Sequence, residues 1–243
     1  MMKWQGVGFD LDNTLFSHEL AFKKAIKHCY ILYLNKFCQS KPIVSTETFF
    51  SLFKINSDKY WYLIEEKGLT KREYRRIRFN ETMKSLGLPY GDHIADFFHN
   101  NYEECVDDYS EPYSGLYELL SLLKNKKIIL AIITNGTRKT QCGKIERLKL
   151  NKWIQKNNII ISEDVGYEKP EKEIFNCLQK RLQLHSKELL YIGDSWKHDV
   201  VGAMDAGWDS IFLNTRNEKR NTNHKPLGEF HTLEEVTSYF LSI

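Results

Sequence analysis

Two carboxylates one residue apart, Asp10 and Asp12, close the apolar run Gly6-Val7-Gly8-Phe9. In an extended segment alternate side chains share a face, so the pair can converge on one cation or one substrate. Held that close, the two charges repel unless a metal or a proton intervenes. The same spacing also occurs at loop starts and helix caps, so catalysis requires partners from elsewhere in the chain. Three clusters supply them. Thr134-Asn135-Gly136 follows an apolar run over 128–133 and leads into a helical pattern, whose free N–H groups favour an anion. Lys169 sets a positive charge just before Pro170 and another helical pattern. The run 189–193 is followed by Asp194-Ser195-Trp196-Lys197-His198-Asp199, with two more carboxylates, and Gly193 lets the backbone approach closely. An oxygen-rich set of this kind selects a hard cation, Mg²⁺ in particular. A lysine and a helix N-terminus beside it suit a phosphoryl group, whose oxygens need neutralising on every side.

These clusters need a scaffold that brings strand ends together. Short apolar runs bounded by polar residues read as buried strands over 6–9, 128–133, 158–161, 189–193 and 210–213. Between the later ones lie helical patterns over 116–123, 140–150, 171–182 and 198–206; Pro170 opens the third and Gly207 stops the fourth. Thr232-Leu233-Glu234-Glu235 boxes a last short helix, and 214–228 reads as a polar loop. Strands alternating with helices imply a doubly wound parallel sheet, an α/β Rossmann-like core with ligands at the strands' carboxyl ends. The block 17–110 differs. Phe22, Ile26, Cys29, Tyr30, Tyr33, Leu34 and Phe37 recur at helical spacing, Lys41-Pro42 breaks the pattern, and helix-like sequence resumes over 46–86 and 94–102. Thr70-Lys71-Arg72-Glu73 forms a capping box within it. The expected organisation is a core of 1–16 and 111–243 with an inserted all-helical domain at 17–110.

The 243 residues carry 42% hydrophobic and 28% charged side chains, which places the chain among ordinary globular proteins. A net charge of +3 is too mild to point to nucleic acid as the main partner, while phosphorylated small molecules remain compatible. The 5 cysteines are scattered without a C-x-x-C pair, as expected of reduced thiols. No signal-peptide pattern follows the start and no apolar run approaches about 18 residues. The expectation is a cytoplasmic protein with no membrane and no nucleic-acid partner, a monomer or weak homodimer.

Taken in order, the four clusters resemble the motifs of the haloacid dehalogenase-like (HAD) hydrolases: Asp10-Leu11-Asp12-Asn13-Thr14-Leu15, Ile133-Thr134-Asn135-Gly136, Lys169-Pro170, and Gly193-Asp194-Ser195 through Asp199. The resemblance covers essentially the whole chain, and the helical insertion after the first motif is similar to the family's helical cap. Asn13 stands where many relatives carry Gly. The resemblance implies an aspartyl-phosphate mechanism with Asp10 as nucleophile and Asp12 as general acid and base. For that role Asp12 must carry a proton part of the time, which desolvation would favour. It further implies Mg²⁺ held by Asp10, the carbonyl of Asp12 and Asp194 with Asp199 in support. Thr134, Asn135 and Gly136 would sit on the phosphoryl group and Lys169 would neutralise it.

The reading is therefore a Mg²⁺-dependent phosphomonoesterase acting on a small phosphorylated metabolite, with a nucleoside monophosphate as first guess. A phosphomutase and a non-enzymatic phospho-binding or regulatory protein are the alternatives. A dehalogenase has no need of the acid and base at Asp12. Plainer roles stand beside several assignments: Thr134 and Asp199 as helix caps, His198 as a solvated side chain, Trp196 as a lid or ordinary packing. In the insertion, Lys71, Arg75 and Arg78 make one stripe of a basic helix. Either they form a solvated face, or Arg75 or Arg78 reaches the substrate's distal part.

Overall fold

A computed structural model describes residues 3–38 and 44–243; the expected break at Lys41-Pro42 lies outside them. By contacts the chain divides into two compact units, 1–18 with 110–243, and 19–109.

The first unit is built on six parallel strands: β1 (Gly6–Phe9), β2 (Ile129–Thr134), β3 (Ile159–Ile161), β4 (Leu189–Gly193), β5 (Asp209–Leu213) and β6 (Glu229–Phe230), in the order β3-β2-β1-β4-β5-β6. β1 sits centrally: Phe9 pairs with Ile132 on one side and Ile192 on the other. The carboxyl ends of β1, β2 and β4 are thereby level, and the residues just beyond them share one edge. β6 escapes sequence reading because two residues carry no periodicity. Buried apolar side chains such as Ile133, Ile160, Phe175, Leu178, Tyr191 and Trp208 fill one face of the sheet.

The helices of this unit are α5 (Leu116–Asn125), α6 (Arg138–Arg147), α7 (Ser162–Val165), α8 (Lys172–Leu182), α9 (Gly202–Asp205) and α10 (Leu233–Ser242), numbered after the four of the insertion. α8 begins two residues later than Pro170 suggests, with Glu171 at its N-cap and the Lys169–Pro170 bond cis. Where one helix over 198–206 is expected, a π-turn over Trp196–Val201 runs into α9. At Thr232 half of the expected box forms: its hydroxyl accepts from Glu235 N, whereas the Glu235 carboxylate takes His231 N.

The second unit is all helix: α1 (His18–Phe37), α2 (Thr46–Lys67), α3 (Lys71–Ser85) and α4 (Asp92–Cys105), with α1 starting at the boundary. The Thr70–Glu73 capping box is complete. An aromatic core of Tyr30, Tyr33, Phe49, Phe53, Phe79 and Phe98 holds the helices together. Each such ring contributes roughly 1.5–3 kcal/mol by leaving water. Tyr30 stacks on Phe49 at 3.9 Å between centroids. All five cysteines are free thiols. No helix among the described residues is long and apolar enough to cross a membrane.

Candidate active site

The strand ends gather the acidic residues. Asp10 follows β1, its N–H donating to Ile192 O at 2.9 Å, and Asp194 follows β4. Asp10, Asp194 and Asp199 are buried and each offers a carboxylate oxygen within 4.8 Å of the others. Asp199 comes from the π-turn and accepts Ser195 N at 2.9 Å through Oδ2. It packs against Gly193 so closely that a Cβ there would lie 2.4 Å from its Cγ. Any larger residue at 193 would expel Asp199.

Lys169 is the counter-charge. Its Nζ donates to Asp10 Oδ1 and Asp199 Oδ1, both at 2.6 Å, and to the Tyr191 hydroxyl at 3.1 Å. All three ammonium protons are therefore placed. Burial alone would lower the Lys169 pKa, but Asp10 and Asp199 outweigh it and hold it well above the usual lysine value. Burial, with repulsion from Asp199 and Asp12 against the pull of Lys169, raises Asp10 to about 6. Burial and the charges of Asp10 and Asp199 raise Asp194 to about 8, although Arg216 Nε donates to its Oδ2 at 2.7 Å. The buried carboxylates thus exceed their cations. A hard divalent cation suits this donor set, because it offers only oxygens and a surplus of negative charge.

Asp12 behaves otherwise. Its burial raises the pKa, yet Lys144, His18 and the hydrogen bonds of Lys144 and Gln141 outweigh that and lower it to about 2. Lys144 Nζ lies 2.7 Å from Oδ1, Gln141 Nε2 2.9 Å from Oδ2, and His18 Nδ1 3.3 Å from Oδ1. The sequence-level condition, that desolvation raise Asp12, is therefore corrected: at rest it is an ionised carboxylate, because a buried lysine invisible to motif reading stands against it.

Thr134 ends β2 and its hydroxyl accepts from Gln141 Nε2. Asn135 spends its side chain on the Lys169 backbone, donating to Lys169 O at 3.0 Å and accepting Lys169 N at 2.8 Å. His198 Nδ1 meets the same carbonyl at 2.8 Å. Gly136 N donates to Ser162 Oγ at 3.0 Å, and Arg138 N, in the first turn of α6, is taken by Glu163 at 2.7 Å. Asn13 adopts φ 62°, a left-handed conformation that asparagine tolerates better than most residues. This explains an Asn at a position where the motif commonly has Gly. Thr14 Oγ1 donates to Asp10 Oδ2 at 2.8 Å. Trp196 is fully buried, edge-on to Phe212, with Nε1 on Thr222 Oγ1, and so belongs to packing.

A profile of the haloacid dehalogenase-like hydrolases matches residues 7–213. The chain belongs to this family. It is 26% identical over 237 residues to the HAD-hydrolase YfnB of Bacillus subtilis (strain 168), spanning 97% of this chain and 95% of that protein. The structure of YfnB bound to magnesium superposes with a TM-score of 0.79 over 98% of this chain and 99% of that one. The pyrimidine 5'-nucleotidase YjjG of Escherichia coli (strain K12) is 26% identical over 240 residues, covering 97% of this chain and 98% of that protein. A glyceraldehyde 3-phosphate phosphatase of Methanothermobacter thermautotrophicus is 24% identical over 220 residues, 90% of each chain. This HAD-like hydrolase is of the phosphatase type.

Sequence reading of this HAD-like phosphatase missed Thr14, Gln141, Lys144, Tyr191 and Arg216. Each reaches the cluster through its partner's position in space, although Thr14 lies inside the first motif and its four-residue offset from Asp10 was a usable signal. In the helical unit, Arg75 pairs with Glu103 at the surface. Arg78 is buried among Phe22, Phe53 and Tyr74. The stripe expected of one helix face therefore holds two different environments, and Arg76 and Arg72 both bind Asp96 of α4 at 2.6 Å.

Proposed function

We propose that the chain is a Mg²⁺-dependent phosphomonoesterase that works through an aspartyl-phosphate on a small phosphorylated metabolite, with a nucleoside monophosphate as first candidate. The observation that carries the reading is the setting of Asp10, buried between Lys169 on Oδ1 and Thr14 on Oδ2, with Asp194 and Asp199 alongside. In this reading an Asp10 oxygen attacks phosphorus, the bond to the leaving oxygen breaks, and that oxygen takes a proton from Asp12. Water then attacks phosphorus and gives its proton to Asp12; the bond to Asp10 breaks and free phosphate leaves. Asp12, ionised at rest, is ready for the second half. Excluding water from it when substrate binds pushes its pKa upward, the direction the first half needs.

Asp10, the Asp12 carbonyl and Asp194, supported by Asp199, are the residues that would hold Mg²⁺, which supplies neutralisation of the charge on the transferred group. The Thr134 hydroxyl, with its oxygen already accepting from Gln141, keeps its own proton for a phosphoryl oxygen. Lys169 offsets the charge of nucleophile and phosphoryl group, and Asn135 and Gly136 complete the binding loop, Asn135 chiefly by fixing Lys169. The helical block 17–110 serves as cap, with Arg75 or Arg78 contacting the distal part of the substrate. The nucleotide guess is supported by YjjG, a pyrimidine 5'-nucleotidase; the glyceraldehyde 3-phosphate phosphatase keeps small sugar phosphates in the panel.

A phosphate-release screen over nucleoside monophosphates, sugar phosphates and aryl phosphates, with Mg²⁺ and with chelator, tests the proposal. Release that needs Mg²⁺ supports it. Full activity in excess chelator, or transfer between sugar hydroxyls without free phosphate, overturns it.

A further inference from the structure

We propose that Gln141 and Lys144 are positioning residues that lock the Asp12 carboxylate in the orientation from which it protonates the leaving oxygen. The inference rests on the phosphomonoesterase reading above.

Three residues apart on α6, the two side chains share a helix face, and both are almost fully buried. A lysine and a glutamine taken out of water must find partners there, and nearly all of theirs belong to the candidate site. An ammonium only donates, so the 2.8 Å contact of Lys144 Nζ with Gln141 identifies the amide oxygen. The amide nitrogen consequently faces Asp12 Oδ2 at 2.9 Å and the Thr134 hydroxyl. Lys144 takes Asp12 Oδ1 at 2.7 Å. With a donor on each oxygen, the carboxylate cannot turn about its Cβ–Cγ bond without losing both contacts.

The backbone around the pair is shaped to admit it. Gly136 has φ +145°, and a Cβ there would lie 3.1 Å from both Cγ and Cδ of Gln141. A side chain at 136 would press on the amide that orients Asp12. The plainer reading, an ion pair that stabilises the fold, explains less. Buried pairs contribute little net stability compared with apolar residues of the same size, whereas orientation at a reacting centre carries large rate factors.

The test uses Lys144→Met and Gln141→Leu in the full chain with saturating Mg²⁺. It compares an aryl ester, p-nitrophenyl phosphate, with an alkyl ester: uridine 5'-monophosphate, or whichever alkyl ester of the panel is turned over fastest. Since kcat/KM covers events up to departure of the leaving group, only the alkyl ester needs the proton of Asp12 in that span. General acids contribute about 10²–10⁴-fold, so the alkyl-to-aryl ratio of kcat/KM should fall at least about tenfold in each variant. Any common loss through Thr134 cancels in that ratio. With the aryl ester, kcat and KM should fall together, because attack by water still needs Asp12. An unchanged ratio in folded variants overturns the inference; if Lys144→Met does not fold, Gln141→Leu decides alone. Asp10→Asn separates the two levels of argument. Phosphate release by that variant would defeat the aspartyl-phosphate mechanism on which the inference rests, while an inactive Asp10→Asn beside an unchanged ratio would defeat only the positioning role.

Discussion

Lys169 in the sheet unit and Arg78 in the helical unit are both buried cations, and their surroundings are opposite. Lys169, at the strand ends, is held by two carboxylates and a phenol. Arg78, in the helical unit, is met by rings: its guanidinium carbon lies 4.9 Å from the centroids of Phe53 and Tyr74 and 5.8 Å from Phe22. Its Nη1 makes long contacts to the Tyr74 and Ser57 hydroxyls at 3.3 and 3.4 Å, and its Nε has no hydrogen-bond partner among the described residues. Burial pushes the Arg78 pKa down, and burial together with Arg78 pushes that of buried His99 well below its usual value. The sheet unit neutralises its buried cation with its own acids, indeed with too many of them. Among the described residues the helical unit meets its cation with rings and hydroxyls in place of acids, an arrangement costly to the fold. The distal contact proposed above would set an anion or a carbonyl of the substrate against it.

Replacing each cation by methionine sharpens the contrast most. Lys169→Met strands Asp10 and Asp199 together, and breaking a buried pair of this kind costs about 3–5 kcal/mol. Arg78→Met removes an unpaired buried charge and fills similar space. It should leave the unfolding free energy unchanged or raise it by about 1–2 kcal/mol, while lowering kcat/KM for substrates with a polar distal group. Urea unfolding in chelator measures both. A loss of more than about 2 kcal/mol in Arg78→Met would make its aromatic box a structural cation–π site and remove the contrast.

The acid surplus has a pH signature of its own. Asp10 and Asp194 have folded-state pKa values raised to about 6 and about 8. Their contribution to stability is therefore fully present below the unfolded carboxylate value and is lost as pH rises through 6 to 8. Metal-free protein should melt at progressively lower temperature across that window. Mg²⁺ should flatten the dependence by binding the ionised, folded form. Thermal scans between pH 5 and 9 with chelator and with Mg²⁺ decide it, and identical curves would mean that the cluster holds no cation. Asp12 opposes this trend only in strong acid: its lowered pKa gives stability that is lost as pH falls toward about 2.

The smallest effect belongs to the surface. Arg75 is paired with Glu103 where both side chains are partly exposed, so Arg75→Ala should change stability by no more than about 0.5 kcal/mol. A tenfold fall in kcat/KM for the preferred substrate, with an aryl phosphate unaffected, would instead assign the distal contact to Arg75.

Much of the sheet unit is legible because local pattern and global role coincide there. Five of the six strands are apolar runs of three or more residues, and the polar residues that stop them sit at strand ends in a parallel register, so proximity follows from topology. The helical insertion is legible as helix for the same local reason, since Thr70 and Glu73 cap it and aromatic residues recur at helical spacing. Which side of α3 each arginine occupies is not local. Arg75 and Arg78 are three residues apart, and only the packing of α1, α2 and α4 buries one and leaves the other paired at the surface.

By itself the sequence determined the element types, the parallel core and the set of carboxylates at its edge, because hydrophobic period and strand-end position are properties of neighbouring residues. Tertiary structure decided the charge states and the supports. Lys144 lies 132 positions from Asp12 and turns an expected acid into a resting carboxylate. Arg216 reaches Asp194 from the loop after β5. Tyr191, which reads as an ordinary strand residue, takes the third proton of Lys169. A pKa depends on what stands within a few ångströms in space, and no spacing along the chain encodes that.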